Sequence, residues 1–115
     1  EANYNQTLTT AYWIAETEVT YELWYEVYTW ALSNGYTFAI AGREGNDGST
    51  GAAPTVASDE PVTFVNWRDC MVWCNALSEN QGLNPVYENG SGDVIRDYRD
   101  SNATECDNAI PDWTA

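Results

Sequence analysis

The sequence predicts an α+β domain with two helices, short strands and long loops. Three observations predict it. The chain has 115 residues, enough for one core and too few for two. Two segments carry helical apolar spacing, each preceded by an N-capping residue. Short β-prone runs and a long Gly-rich stretch surround them. The domain therefore spans 1–115 as a single unit.

The first strand candidate is 11–19, where Trp13, Ala15, Thr17 and Val19 alternate with Tyr12, Ile14, Glu16 and Glu18. Thr20 is a good N-cap for a helix over 21–34. Leu23, Trp24, Val27, Tyr28 and Ala31 form its apolar face, Glu22 suits the positive end of its dipole, and Asn34-Gly35 stops it. Residues 36–60 are polar and Gly-rich, which predicts a loop that tolerates shortening and supplies contacts. Its Asn46-Asp47-Gly48 run is similar to part of a calcium loop but lacks the ligand spacing and the closing Glu.

Pro61-Val62-Thr63-Phe64-Val65 is a short strand candidate. Asn66 caps the second helix, 67–80, with Asp69 three residues on, and Gly82 ends it. Its expected inward face is Trp67, Cys70, Trp73, Cys74 and Leu77. Trp67 is the expected core anchor, worth roughly 3–5 kcal/mol on truncation to Ala. Residues 85–88 and 94–97 flank Asn89-Gly90-Ser91-Gly92 and read as a β-hairpin. The tail, 99–115, is polar and irregular until Ile110, Pro111 and Trp113.

Charge excludes more than size does. Eighteen acidic residues face four Arg, with no Lys and no His, for a net charge of -14. Such a surface repels nucleic acid and anionic lipid. No imidazole base, His metal ligand, Schiff-base lysine or P-loop lysine is available. No apolar run is long enough to span a membrane. Six Trp, eight Tyr and two Phe must mostly enter the core, with the remainder left for an interface.

Asn5, Asn89 and Asn102 each open an Asn-x-Ser/Thr sequon. They hint at an extracellular or cell-surface glycoprotein, although single matches arise by chance in an Asn-rich chain. Cys70 and Cys74 stand four apart on the second helix, and Cys106 lies downstream. Two thiols are too few for a structural metal site. They read either as small buried apolar residues or as disulfide candidates with Cys106.

The order Thr17-Glu18-Val19-Thr20-Tyr21-Glu22-Leu23-Trp24, then Pro61-Val62-Thr63-Phe64-Val65-Asn66-Trp67-Arg68-Asp69, then Trp73-Cys74-Asn75-Ala76-Leu77-Ser78 resembles the formylglycine-generating enzyme (sulfatase-modifying factor) family. That family has E-V-T before its first helix, and P-V-x-x-V-[ST]-W-x-[DE]-A followed by Y-C-x-W-L on its second. Here Cys70 stands where Ala is usual, Trp73 where Tyr is, and Ala76 where Trp is. The match covers about 11–88. The resemblance implies an irregular C-type-lectin-like domain. It also implies that the family's R-L-P-T-E-A-E-W-E signature would follow, yet the sequence ends at Pro111-Asp112-Trp113-Thr114-Ala115. The family's downstream half carries its copper-binding cysteine pair and calcium sites, so no catalytic, cofactor or metal residue transfers to this chain. Copper or calcium is expected only with that second half.

Three functions fit these readings. One is a non-catalytic extracellular binding module with a protein or glycan ligand. Another is an inactive N-terminal fragment of a copper-dependent formylglycine-generating oxidase, or of a related carbon–sulfur bond-forming enzyme. The third is a surface-structural unit that self-associates or is completed by another segment.

Overall fold

The structure, a computed structural model, describes residues 15–55, 59–98 and 104–112. Helix α1 is Tyr21–Leu32. The Thr20 hydroxyl accepts from Leu23 N at 3.3 Å, which is the predicted cap. The helix ends two residues short of expectation, and Asn34 closes it by donating Nδ2 to Trp30 O at 2.8 Å. Its buried face is Tyr21, Trp24, Val27 and Ala31. Leu23 is exposed instead of inward, and Tyr21 takes its place.

Of the strand expected at 11–19, residues 11–14 lie outside the described part. Residues 15–19 form no strand, and Thr20 makes one isolated bridge to Pro61. The long loop contains β1, Arg43–Glu44, which pairs antiparallel with β2, Val62–Thr63.

Helix α2 is Trp67–Asn80, with the predicted bounds and the predicted cap: Asp69 N donates to Asn66 Oδ1 at 2.8 Å. Its inward face differs from the one expected. Trp67 is 53% exposed and Cys74 is exposed, while Cys70 and Leu77 are half-buried. The side chains that reach the interior are Asp69, Val72, Trp73, Asn75 and Ala76. The physical reason is that two polar side chains on this face hydrogen-bond loop backbone. Helices α1 and α2 meet through Trp24 and Trp73, whose rings stack 5.2 Å apart at 6°. Trp73 Nε1 donates to Trp24 O, and Trp24 Nε1 to Ala41 O, so neither indole is buried unsatisfied.

The loop 36–60 is not a detachable surface feature. Tyr36 is buried, and Ala39 N and Ile40 N donate to the fully buried Asp69 carboxylate at 2.7 and 3.2 Å. Burial pushes the Asp69 pKa up, against the pull of those backbone donors. Tyr21 donates its hydroxyl to Ala52 O at 2.6 Å. Gly42 has φ 78°, and a Cβ there would stand 2.9 Å from Trp24 Nε1, so the position demands glycine.

Strand β3, Tyr87–Glu88, builds the expected hairpin in a short form: a turn at 89–92 returns the chain, Glu88 bridges Val94 antiparallel, Asn89 N donates to Asp93 O at 2.9 Å and Ile95 N to Tyr87 O at 3.2 Å. The ladder partner of β3 comes from the tail. There, helix α3, Thr104–Asp107, precedes β4, Ile110–Pro111, which pairs antiparallel with β3. Asn75 organises this corner from within α2. Its Nδ2 donates to Tyr87 O and Ile95 O, both at 2.9 Å, and its Oδ1 accepts from Tyr87 N at 3.0 Å. The result is an irregular α+β fold of two packed helices and two small antiparallel pairs.

Candidate functional site

Both main helices end at the same side of the molecule, and neither has a basic residue in its last turn. An open groove of about 460 Å³ lies there, lined by Trp30, Asn34, Glu79, Leu83, Asn84, Pro85 and Arg96. Arg96 supplies the cation that the helix ends lack. Its Nη2 stands 2.5 Å from Glu79 Oε1, and its guanidinium lies over the Tyr36 ring, 5.6 Å from the centroid. Tyr36 donates its hydroxyl to Glu79 Oε2 at 2.5 Å.

Burial and then the bond to Glu79 push the Tyr36 pKa well above the ordinary phenol range, so the phenol stays protonated. Burial raises Glu79, but the bonds from Tyr36 and Arg96 outweigh it and hold the carboxylate below its usual range. This trio is therefore fixed in its charge states near neutral pH. It forms a hydrogen-bonded polar wall beside Trp30, Leu83 and Pro85. Such a wall suits a ligand with both hydroxyl or amide groups and an apolar face.

A second hollow, about 270 Å³, lies inside the long loop between Glu44, Asp47, Gly48, Thr55 and Glu60. Glu44 is 7% exposed, and its carboxylate accepts from Thr55 N and from Thr55 Oγ1 at 2.9 Å. Among the described residues no group of three or more His, Cys, Asp or Glu is arranged to hold a metal ion.

The sequence-predicted site residues do not converge. Cys70 and Cys74 are on α2 and Cys106 is on α3. No disulfide joins them, and only Cys106 is fully buried, its sulfur 3.8 Å from Tyr98 O. Asn89 shapes its own turn, its Oδ1 accepting from Ser91 N and Asp93 N. Asn5 and Asn102 lie outside the described residues. No helix among the described residues is long and apolar enough to cross a membrane. Sequence reasoning missed the Tyr36–Glu79–Arg96 trio. Its members lie in three separate segments, and no local spacing announces them.

A family model for the sulfatase-modifying factor enzyme 1-like domain matches residues 1–109. The chain belongs to this family. Among solved structures it is similar to the crystal structure of CarF, at 28% identity and a TM-score of 0.63. That match covers 74% of this chain and 33% of CarF, so the chain spans about a third of that protein's length. No curated protein matches.

Proposed function

We propose that this chain is a non-catalytic binding or surface-structural module of the sulfatase-modifying factor family, working outside the cell. Its groove at the helix ends takes a protein or glycan ligand. Its apolar surface is covered by a second copy or by another segment. The carrying observation is the groove wall. Tyr36, Glu79 and Arg96 satisfy one another, which favours a role in holding the shape of the groove. The absence of His and Lys from the sequence supports the same reading. Association is supported by large apolar side chains left at the surface, with Phe64, Trp67, Leu83 and Ile110 all more than half exposed.

Two measurements test this. The purified chain, incubated with copper and a cysteine-containing sulfatase peptide, should leave the peptide mass unchanged. Conversion of the cysteine would sink the non-catalytic reading. A glycan and peptide panel should give ligands whose binding falls at least tenfold with Arg96→Gln while wild-type helix content is kept. Binding indifferent to that change would remove the groove from the proposal.

A further inference from the structure

Three of the four arginines lie in the described residues, and each covers an aromatic ring. Arg96 lies over Tyr36, Arg68 over Trp67 and Arg43 over Phe64, with the last 5.5 Å from the centroid. Two of these cations are also neutralised. Arg96 is paired with Glu79, and Arg68 makes a two-point contact with Asp107 at 2.9 and 3.0 Å. Arg43 has no carboxylate or other acceptor among the described residues, in a chain with 18 acidic side chains. Its Nε is buried without a hydrogen-bond partner, which is rare in a folded protein. Its Nη groups are not buried, so the outer edge of the fork faces solvent.

Its aromatic partner is equally unusual. Phe64 has φ 57°, the only non-glycine residue at positive φ among those described, and it is 58% exposed. A bulky side chain there strains the backbone, and the ring gains little burial in return. The register of β1 and β2 explains the geometry. Arg43 stands opposite Thr63, the last residue of β2, and Phe64 follows just past the strand, where its positive φ breaks the alternation of faces and the ring lies under the guanidinium. Trp67 follows at the start of α2, also exposed. The face lies at the opposite end of α2 from the groove, about 20 Å away along a helix of this length.

From this we infer that Arg43 and Phe64 form a binding site for a carboxylate carried on an aromatic or apolar body. The two Nη groups present the parallel donors that a carboxylate accepts, and a planar fork fits it better than an ammonium would. Phe64 supplies the apolar floor, with Trp67 at its rim. The carboxylate belongs to a small acid or to an acidic residue of a peptide, and both offer the same chemistry. This site is independent of the groove, and either can fail without the other; a second copy covering Phe64 and Trp67 competes with the ligand, so the titration is run on dilute chain.

The test is a titration of the folded chain followed by amide and indole NMR shifts. The probes are phenylacetate, its neutral isostere phenylacetamide, and a blocked Phe-Asp dipeptide amide. Phenylacetate should bind in the millimolar range and move the signals of residues 42–44, 63–65 and the Trp67 indole. Phenylacetamide should bind at least tenfold more weakly. A peptide source is indicated if the dipeptide binds more tightly than phenylacetate, and a small-acid source if it binds more weakly. Arg43→Gln should abolish the response, Arg43→Lys should weaken it, and Arg68→Gln should leave it unchanged. Equal binding of acid and amide overturns the site, as does no response to either carboxylate. Retained binding in Arg43→Gln also overturns it. If Arg43→Gln fails to fold, the acid-against-amide comparison on the wild type decides.

Discussion

Asp69→Ala is expected to cost about 3 kcal/mol. Asp69 is fully buried, and its carboxylate carries two backbone N–H groups, Ala39 N at 2.7 Å and Ile40 N at 3.2 Å. A hydrogen bond to a charged group contributes about 1.5–3 kcal/mol net, and donors left unsatisfied add their desolvation. Removing a buried charge offsets part of this, because burial already holds the Asp69 pKa above its ordinary value. For a domain of this size the midpoint of thermal unfolding should fall by roughly 10–15 °C. Urea denaturation followed by far-UV dichroism and by tryptophan emission would measure it, with both probes moving together. A loss under about 1 kcal/mol would refute the claim that this side chain ties the long loop to α2. The pH dependence supplies a second check. Folded Asp69 titrates above unfolded Asp69, so between those two values the native state binds more protons. Stability from this group is therefore complete below the ordinary aspartate range and is lost as pH rises through the folded value. Asp69→Asn lacks that step. Wild-type stability minus variant stability should fall with rising pH in that window, and a rising difference would contradict burial as the dominant cause.

Further outcomes follow from the same geometry. Trp73→Ala should cost about 4 kcal/mol, since its ring stacks on Trp24 in the core, whereas Trp67→Ala should cost under about 1 kcal/mol. Paired urea melts giving the reverse order would restore Trp67 as the anchor. Phe64→Asn should be neutral or stabilising by up to about 1 kcal/mol, because relief at φ 57° offsets the lost ring–Arg43 contact. A clear loss in thermal melts would show that the ring holds the fold. Gly42→Ala should destabilise by more than about 1 kcal/mol, through both its positive φ and its approach to Trp24. Melts of that variant matching wild type would show that the loop yields there.

The two helix starts were legible because a cap is a local event. Thr20 and Asn66 each satisfy a backbone donor three residues on, and the spacing alone reveals it. The α2 face was not legible from apolar pattern. Asp69 and Asn75 are polar yet fully buried, each satisfied by backbone from distant loops, while Trp67 has the right period and the wrong surroundings. The partner of β3 was hidden for a related reason. A turn at Asn89-Gly90-Ser91-Gly92 announces a local return, but the ladder closes on Ile110–Pro111, and a two-residue strand leaves no periodicity to read. The groove is a long-range product too, since Tyr36, Glu79 and Arg96 become neighbours only once α1, α2 and the segment after β3 have packed. Arg43 is visible as one of four basic residues, but its want of an acceptor among the described residues is a fact of three dimensions.

Sedimentation equilibrium of the isolated chain, across concentration and salt, tests the proposal that this family frame is an associating module. Species heavier than the 12.8 kDa monomer are expected. Their share should grow with protein concentration and with salt, as screening reduces repulsion between copies of net charge -14. Phe64→Asn with Trp67→Ala should shift them toward monomer. A single monomeric, cooperatively folding species at every concentration and ionic strength would contradict the account.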